Sequence, residues 1–158
     1  MITEDFVTFE TAKLLKEKGF DGNCYKVWAK ESKSEPKLYA APSFVEGDTT
    51  VNKESVEDGE RFINDLNPYE HKIEGYLAPT LQMAMKWLRD VHKLGVFPST
   101  YYREINRNVK NDYGSTIVRL DTYEVIGNGK NIEDYTFEAE TYEETADKAI
   151  RYWLENLI

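Results

Sequence analysis

Few residues in this chain have side chains suited to catalysis. His71 and His92 are its two histidines, and Cys24 is its one cysteine. His71 stands near Glu70 and Glu74, and an imidazole beside carboxylates is a donor set for a divalent metal. That pairing arises often by chance on a loop, and a solvated surface histidine explains it as well. His92 follows Leu88 by four residues at the edge of an apolar helical stripe. This predicts a packed histidine with its hydrogen bonds satisfied. Cys24 has no base beside it in the sequence and reads as a small buried hydrophobe. A lone cysteine also precludes an intramolecular disulfide and a paired-thiol metal site. Gly127-x-Gly129 lacks the third glycine of a dinucleotide fingerprint, because Ile132 occupies that place and a strand is predicted to follow. There is no Walker A loop, no His-Glu-x-x-His and no Gly-x-Ser-x-Gly. No catalytic residue, metal or cofactor is predicted, and an enzyme is the minority reading.

Binding chemistry is more visible. Tyr101, Tyr102, Arg103 and Arg107 bring aromatic rings and guanidinium groups into one short stretch, the mixture enriched at interaction hot spots. Rings beside cations can also stack nucleobases, and packing on a sheet face is the plainer alternative. Charge bears on the partner. The chain carries 29 acids against 20 bases, a net charge of −9. Acids outnumber Lys53, Arg61 and Lys72 three to one between Glu46 and Glu74, and no base offsets them between Glu133 and Asp147. Such a surface repels a phosphate backbone, so a protein partner is favoured over nucleic acid. Lys86 to Lys110 runs the other way, with six bases against Asp90 and Glu104, which fits a solvated helix face followed by polar strand positions.

The elements that would position these groups follow from periodicity. Pro79 to Leu94 is the strongest helix, with Leu81, Ala84, Leu88 and Val91 on one stripe widened by Met85, Trp87 and Leu94. Pro79 suits its first position and Gly95 its left-handed cap. A second amphipathic helix spans Tyr142 to Leu157, opened by Thr141 with Glu144 as a capping box and laced by Glu144–Lys148 and Asp147–Arg151 pairs. A short N-terminal helix fits Thr8 to Lys18, stopped by Gly19 with Phe20 folding back. Strands are predicted at Cys24 to Ala29, Leu38 to Ala41, Thr100 to Val109, Ser115 to Ile126 and Asp134 to Glu140. The turn between the third and fourth falls at Lys110 to Gly114. The acidic stretch from Glu46 to Glu74 reads as an exposed connection with one short helix. The predicted fold is α+β: one domain over 1–158, with an antiparallel sheet of three to five strands and the two main helices on one face.

With 158 residues, 41% of them hydrophobic, the chain can bury a core. Its first ten residues lack a basic region and an apolar run, and no stretch is apolar enough to span a membrane, so a cytoplasmic protein is predicted. An exposed sheet edge would admit a homodimer.

Three segments taken together resemble a family of small uncharacterised proteins from phages and prophages of gut Bacteroidales. They are Phe9 to Asp21 (FETAKLLKEKGFD), Ala78-Pro79-Thr80 with Lys86 to His92 (KWLRDVH), and Tyr142 to Ala146 (YEETA). These are mainly helix and core positions and mark no active site. The resemblance implies a mobile-element protein with no assigned activity. The resulting expectation is a non-enzymatic accessory protein that binds a host or phage macromolecule. The alternative is a small ligand-binding domain or enzyme with a pocket between the sheet and the 46–74 segment.

Overall fold

A computed structural model describes residues 5–44, 49–67, 72–105, 108–126 and 137–158, and of these the backbone alone at 44, 101–105 and 108–112. The fold is α+β. Two antiparallel three-stranded sheets replace the one sheet predicted, and the chain divides into two compact units, Met1–Met83 and Ala84–Ile158.

The first unit opens with α1 (Phe9–Glu17). Thr8 caps it, its hydroxyl accepting from the Thr11 N–H at 3.4 Å. Gly19 then takes a left-handed φ of 84°. Phe20 donates its N–H to the Leu15 carbonyl (2.9 Å) and Gly19 to that of Lys16 (3.2 Å), the paired bonds of a Schellman stop. Strands β1 (Lys26–Glu31) and β2 (Lys37–Ala40) follow, then the single turn α2 (Ala41–Phe44), helix α3 (Lys53–Leu66) and strand β3 (Ile73–Ala78). The stretch expected to be an exposed connection with one short helix thus holds a helix of 14 residues. Asn52 starts it by accepting from the Ser55 N–H and hydroxyl, both at 2.9 Å. Sequence periodicity underrates α3 because little of it is core: Val56 is its buried apolar residue. Tyr76 to Ala78, directly before the predicted helix, belong to β3.

The sheet order is β2-β1-β3. Ala41 donates to the carbonyl of Tyr25 (2.8 Å), and Ser32 to that of Lys72 (3.1 Å). Hydrogen-bonded pairs alternate with open ones in an antiparallel ladder, so these two bonds set the phase on both sides of β1. On β2, Lys37 and Tyr39 turn their amides toward β1, while Leu38 and Ala40 turn theirs outward. On β3, Ile73 and Gly75 face outward, and helix side chains meet them. The Asn64 amide donates to the Ile73 carbonyl (3.1 Å) and accepts from its N–H (2.8 Å). The Glu60 carboxylate accepts from the Gly75 N–H, and Lys16 donates to the Gly75 carbonyl at 3.1 Å. Farther along, Val7 donates to the Pro79 carbonyl (3.1 Å). Val7, Leu15, Val27, Val51, Val56 and Leu77 are buried in this unit, each such side chain contributing about 1.5–3 kcal/mol when fully removed from water.

Helix α4 (Leu81–His92) starts two residues later than predicted. Thr80, not Pro79, supplies the start signal, its hydroxyl accepting from the Met83 N–H at 3.2 Å. At the other end Lys93 holds the left-handed φ (58°) assigned to Gly95. Gly95 instead sits in β4 (Leu94–Ile105), paired with Val118, where an added Cβ would stand 2.6 Å from the Phe97 ring. Leu81, Ala84, Met85 and Leu88 are buried as the stripe requires, but Val91 is 58% exposed.

The second sheet runs β4-β5-β6, with β5 at Asn108–Arg119 and β6 at Val125–Ile126. The turn predicted at Lys110 to Gly114 is strand, because an unbroken ladder pairs Leu94 with Arg119 through Ile105 with Asn108. Leu120 donates to the Lys93 carbonyl (2.7 Å). That phase points the N side of Pro98 away from β5, where a missing N–H costs no ladder bond. Of the strand predicted at Asp134 to Glu140, residues 134–136 lie outside the described residues, and Ala139 bridges Tyr113. Helix α5 (Tyr142–Asn156) lies against β4 and β5 and buries Ala146, Ala149, Ile150, Trp153 and Leu154. Thr141 caps it, accepting from the Glu144 N–H at 3.1 Å, and Glu144 pairs with Lys148 at 3.1 Å. Arg151 pairs with Glu155 (3.3 Å) in place of the expected Asp147, which is buried.

Candidate functional site

The four binding residues chosen from sequence are only partly placed. Tyr101, Tyr102 and Arg103 lie on β4 toward its far end, at register positions opposite Asp112, Asn111 and Lys110. Arg107 lies outside the described residues, as does His71. The structure therefore brings three of them onto one strand.

The groups considered for catalysis occupy packed positions. Cys24 is fully buried, and burial pushes its thiol up to about 12, so no thiolate forms near neutral pH. His92 is not the satisfied histidine predicted: its Nε2 is buried without a hydrogen-bond partner among the described residues. Its ring meets Trp87 edge-on at 4.6 Å, and burial holds its pKa below the ordinary histidine value. Trp153 likewise buries its indole N–H with no partner among the described residues. Among the described residues no cluster of three or more potential ligands could hold a metal.

The richest surface chemistry lies on the first sheet and was not foreseen. The register sets Leu38, Trp28 and Tyr76 side by side on one face, with Lys26, Lys30 and Glu74 at neighbouring places on it. The Trp28 indole N–H donates to the Val7 carbonyl at 2.9 Å, which fixes the ring. Phe9 packs edge-on against both Trp28 (6.1 Å) and Tyr76 (5.3 Å). Lysines lie over aromatic rings here: Lys16 is 4.8 Å from the Tyr76 centroid, and Lys26 is 4.6 Å from that of a further ring, Phe6. Tyr76 donates to Glu74 at 2.8 Å. Burial, and then that bond to a carboxylate, hold the phenol well above its usual range, so it stays a donor. Beside this row Lys30, Ser32, Lys72 and Glu74 line an open groove of about 480 Å³.

A second, apolar cleft lies between α1, α3 and β3, lined by Ala12, Leu15, Phe20, Val56 and Leu77 among others. Its interior of about 10 Å³ has room for a single water at most, whereas small-molecule sites run to roughly 300–1,000 Å³.

Sequence reasoning passed over Trp28 and Tyr76 because the alternation of Cys24 to Ala29 is apolar on both sides, which leaves the outward face undefined. The signal that existed was the pairing of Lys26 and Lys30 with Trp28 at two-residue spacing. No family model, no curated protein and no solved structure matches this chain.

Proposed function

We propose that this is a non-enzymatic accessory protein, of the kind carried by phages and prophages of gut Bacteroidales, that binds an acidic segment of another protein. The observation that carries the reading is the face of the first sheet, where Leu38, Trp28 and Tyr76 form an apolar row next to a groove bearing Lys30 and Lys72. Anchored rings give contact area at low entropic cost, and ammonium groups beside them select carboxylates. On a chain of net charge −9, this local cationic surface restricts where an acidic partner can land. The segments Phe9 to Asp21, Ala78 to Thr80 with Lys86 to His92, and Tyr142 to Ala146 support the mobile-element origin.

The ligand-pocket alternative would need the cleft beneath α3 to open, since its present space suits no metabolite. Affinity capture from host lysate, run in parallel with the wild type and a Lys30→Glu/Lys72→Glu variant, tests the proposal. One dominant acidic partner retained by the wild type and lost by the variant is expected. Capture of the same proteins by both, or of none, would remove the sheet face from consideration.

A further inference from the structure

We propose that β2 is the pairing edge of a homodimer, in which two copies join antiparallel through β2 about a two-fold axis at Tyr39. The two sides of the first sheet are treated differently. Along β3 the outward groups of Ile73 and Gly75 are met by Asn64, Glu60 and Lys16, and just beyond the strand Val7 meets the Pro79 carbonyl. On β2 the outward N–H and C=O groups of Leu38 and Ala40 meet no partner among the described residues. Exposed strand edges of this kind template pairing with another chain.

The register argues for a second copy as the occupant. In a symmetric antiparallel pair centred on Tyr39, Leu38 stands opposite Ala40 of the second copy, and Ala40 opposite its Leu38. Both are hydrogen-bonded positions, so all four outward groups of each strand are satisfied at once. Tyr39 then faces Tyr39 at the open position between them, where Cα atoms lie about 4.5 Å apart and side chains approach most closely. Tyr39 is 37% exposed and available for that contact, and cross-strand aromatic pairs stabilise a ladder. Charge at the seam itself does not oppose the union, because Lys37 falls opposite Ala41 and not opposite another lysine. The product is one six-stranded sheet ordered β3-β1-β2-β2-β1-β3, with two copies of the Leu38–Trp28–Tyr76 row. Coverage of Ile73 and Gly75 on β3 hinders growth of this sheet beyond two copies. Strands of four residues span only about 13 Å each, so the dimer is weak and forms as concentration rises.

Two experiments on the full chain test this independently of any acidic partner. In sedimentation equilibrium up to about 1 mM, the wild type should follow a monomer–dimer isotherm. Tyr39→Lys and Tyr39→Glu, each placing like charges at the axis, should each weaken self-association by about tenfold or more, and their equimolar mixture should restore dimers. Both variants should keep the wild-type circular dichroism spectrum. In the second experiment, Tyr39→Cys should form an intermolecular disulfide on mild oxidation, because the opposed positions lie within disulfide reach. Ser34→Cys, exposed but away from the axis, should not, and buried Cys24 stays silent in both. A wild type that remains monomeric throughout, one that forms larger oligomers, or a Tyr39→Lys chain that associates as the wild type does would overturn the proposal.

Discussion

Cys24 and His92 show how a packed environment converts chemically capable residues into structural ones. The Cys24 thiol donates to the Gly22 carbonyl at 3.6 Å, and with its pKa pushed up to about 12 it has almost no thiolate at pH 8. A thiol-specific dye should therefore leave the native protein unlabelled at pH 8 and react at once in denaturant. Fast labelling under native conditions would contradict the burial. For His92 the folded-state pKa is lowered, so the unfolded chain binds the proton more readily. Stability from this group is complete above the unfolded value of about 6.5 and falls as pH drops below it. Urea melts should show a loss of stability beginning near pH 6.5 that His92→Phe removes while keeping a ring against Trp87. An unchanged pH profile in that variant would count against the assignment.

At the scale of elements, α3 and β3 depend on each other. The helix has little apolar burial of its own, with Phe62 66% and Leu66 64% exposed. It is held by polar side chains that complete the strand edge. Asn64→Ala removes the donor and the acceptor that Ile73 uses, so a loss on the order of 1–3 kcal/mol is expected in a denaturant melt. A change within a few tenths of a kcal/mol would mean that water replaces the amide without cost. Thr141→Ala, by contrast, removes one cap bond from a helix with a large buried face, and about 1 kcal/mol is expected. If the Thr141 variant lost far more, the cap would be serving more than α5.

For the molecule as a whole, charge is the dominant variable. A net charge of −9 opposes non-specific clustering of copies at neutral pH and keeps pairing through β2 weak, and that repulsion vanishes near the isoelectric point of about 4.8. Solubility should reach its minimum there. High solubility retained through that pH would indicate that exposed apolar groups such as Phe62, Leu66 and Tyr123 contribute little to association. No helix among the described residues is long and apolar enough to cross a membrane.

The amino-acid order alone determined the features that depend on neighbours in sequence. These are the Thr8 and Thr141 caps, the Gly19 stop with Phe20 folded over it, the buried stripes of α4 and α5, and the α+β class. Each follows from backbone sterics or from the 3.6-residue period, which act over a few positions. Tertiary pairing decided the rest. Gly95 and Gly114 look like terminators but became strand residues, since a continuous ladder of cross-strand bonds outweighs the modest preference of a single glycine. The amphipathic pattern of α3 was faint because Glu60 and Asn64, polar by composition, face inward to satisfy strand amides that lie distant in the sequence. The division into two sheets and the row of Trp28 and Tyr76 were hidden for the same reason. Which strands pair, and in what register, depends on contacts between residues far apart along the chain, and no local period encodes them.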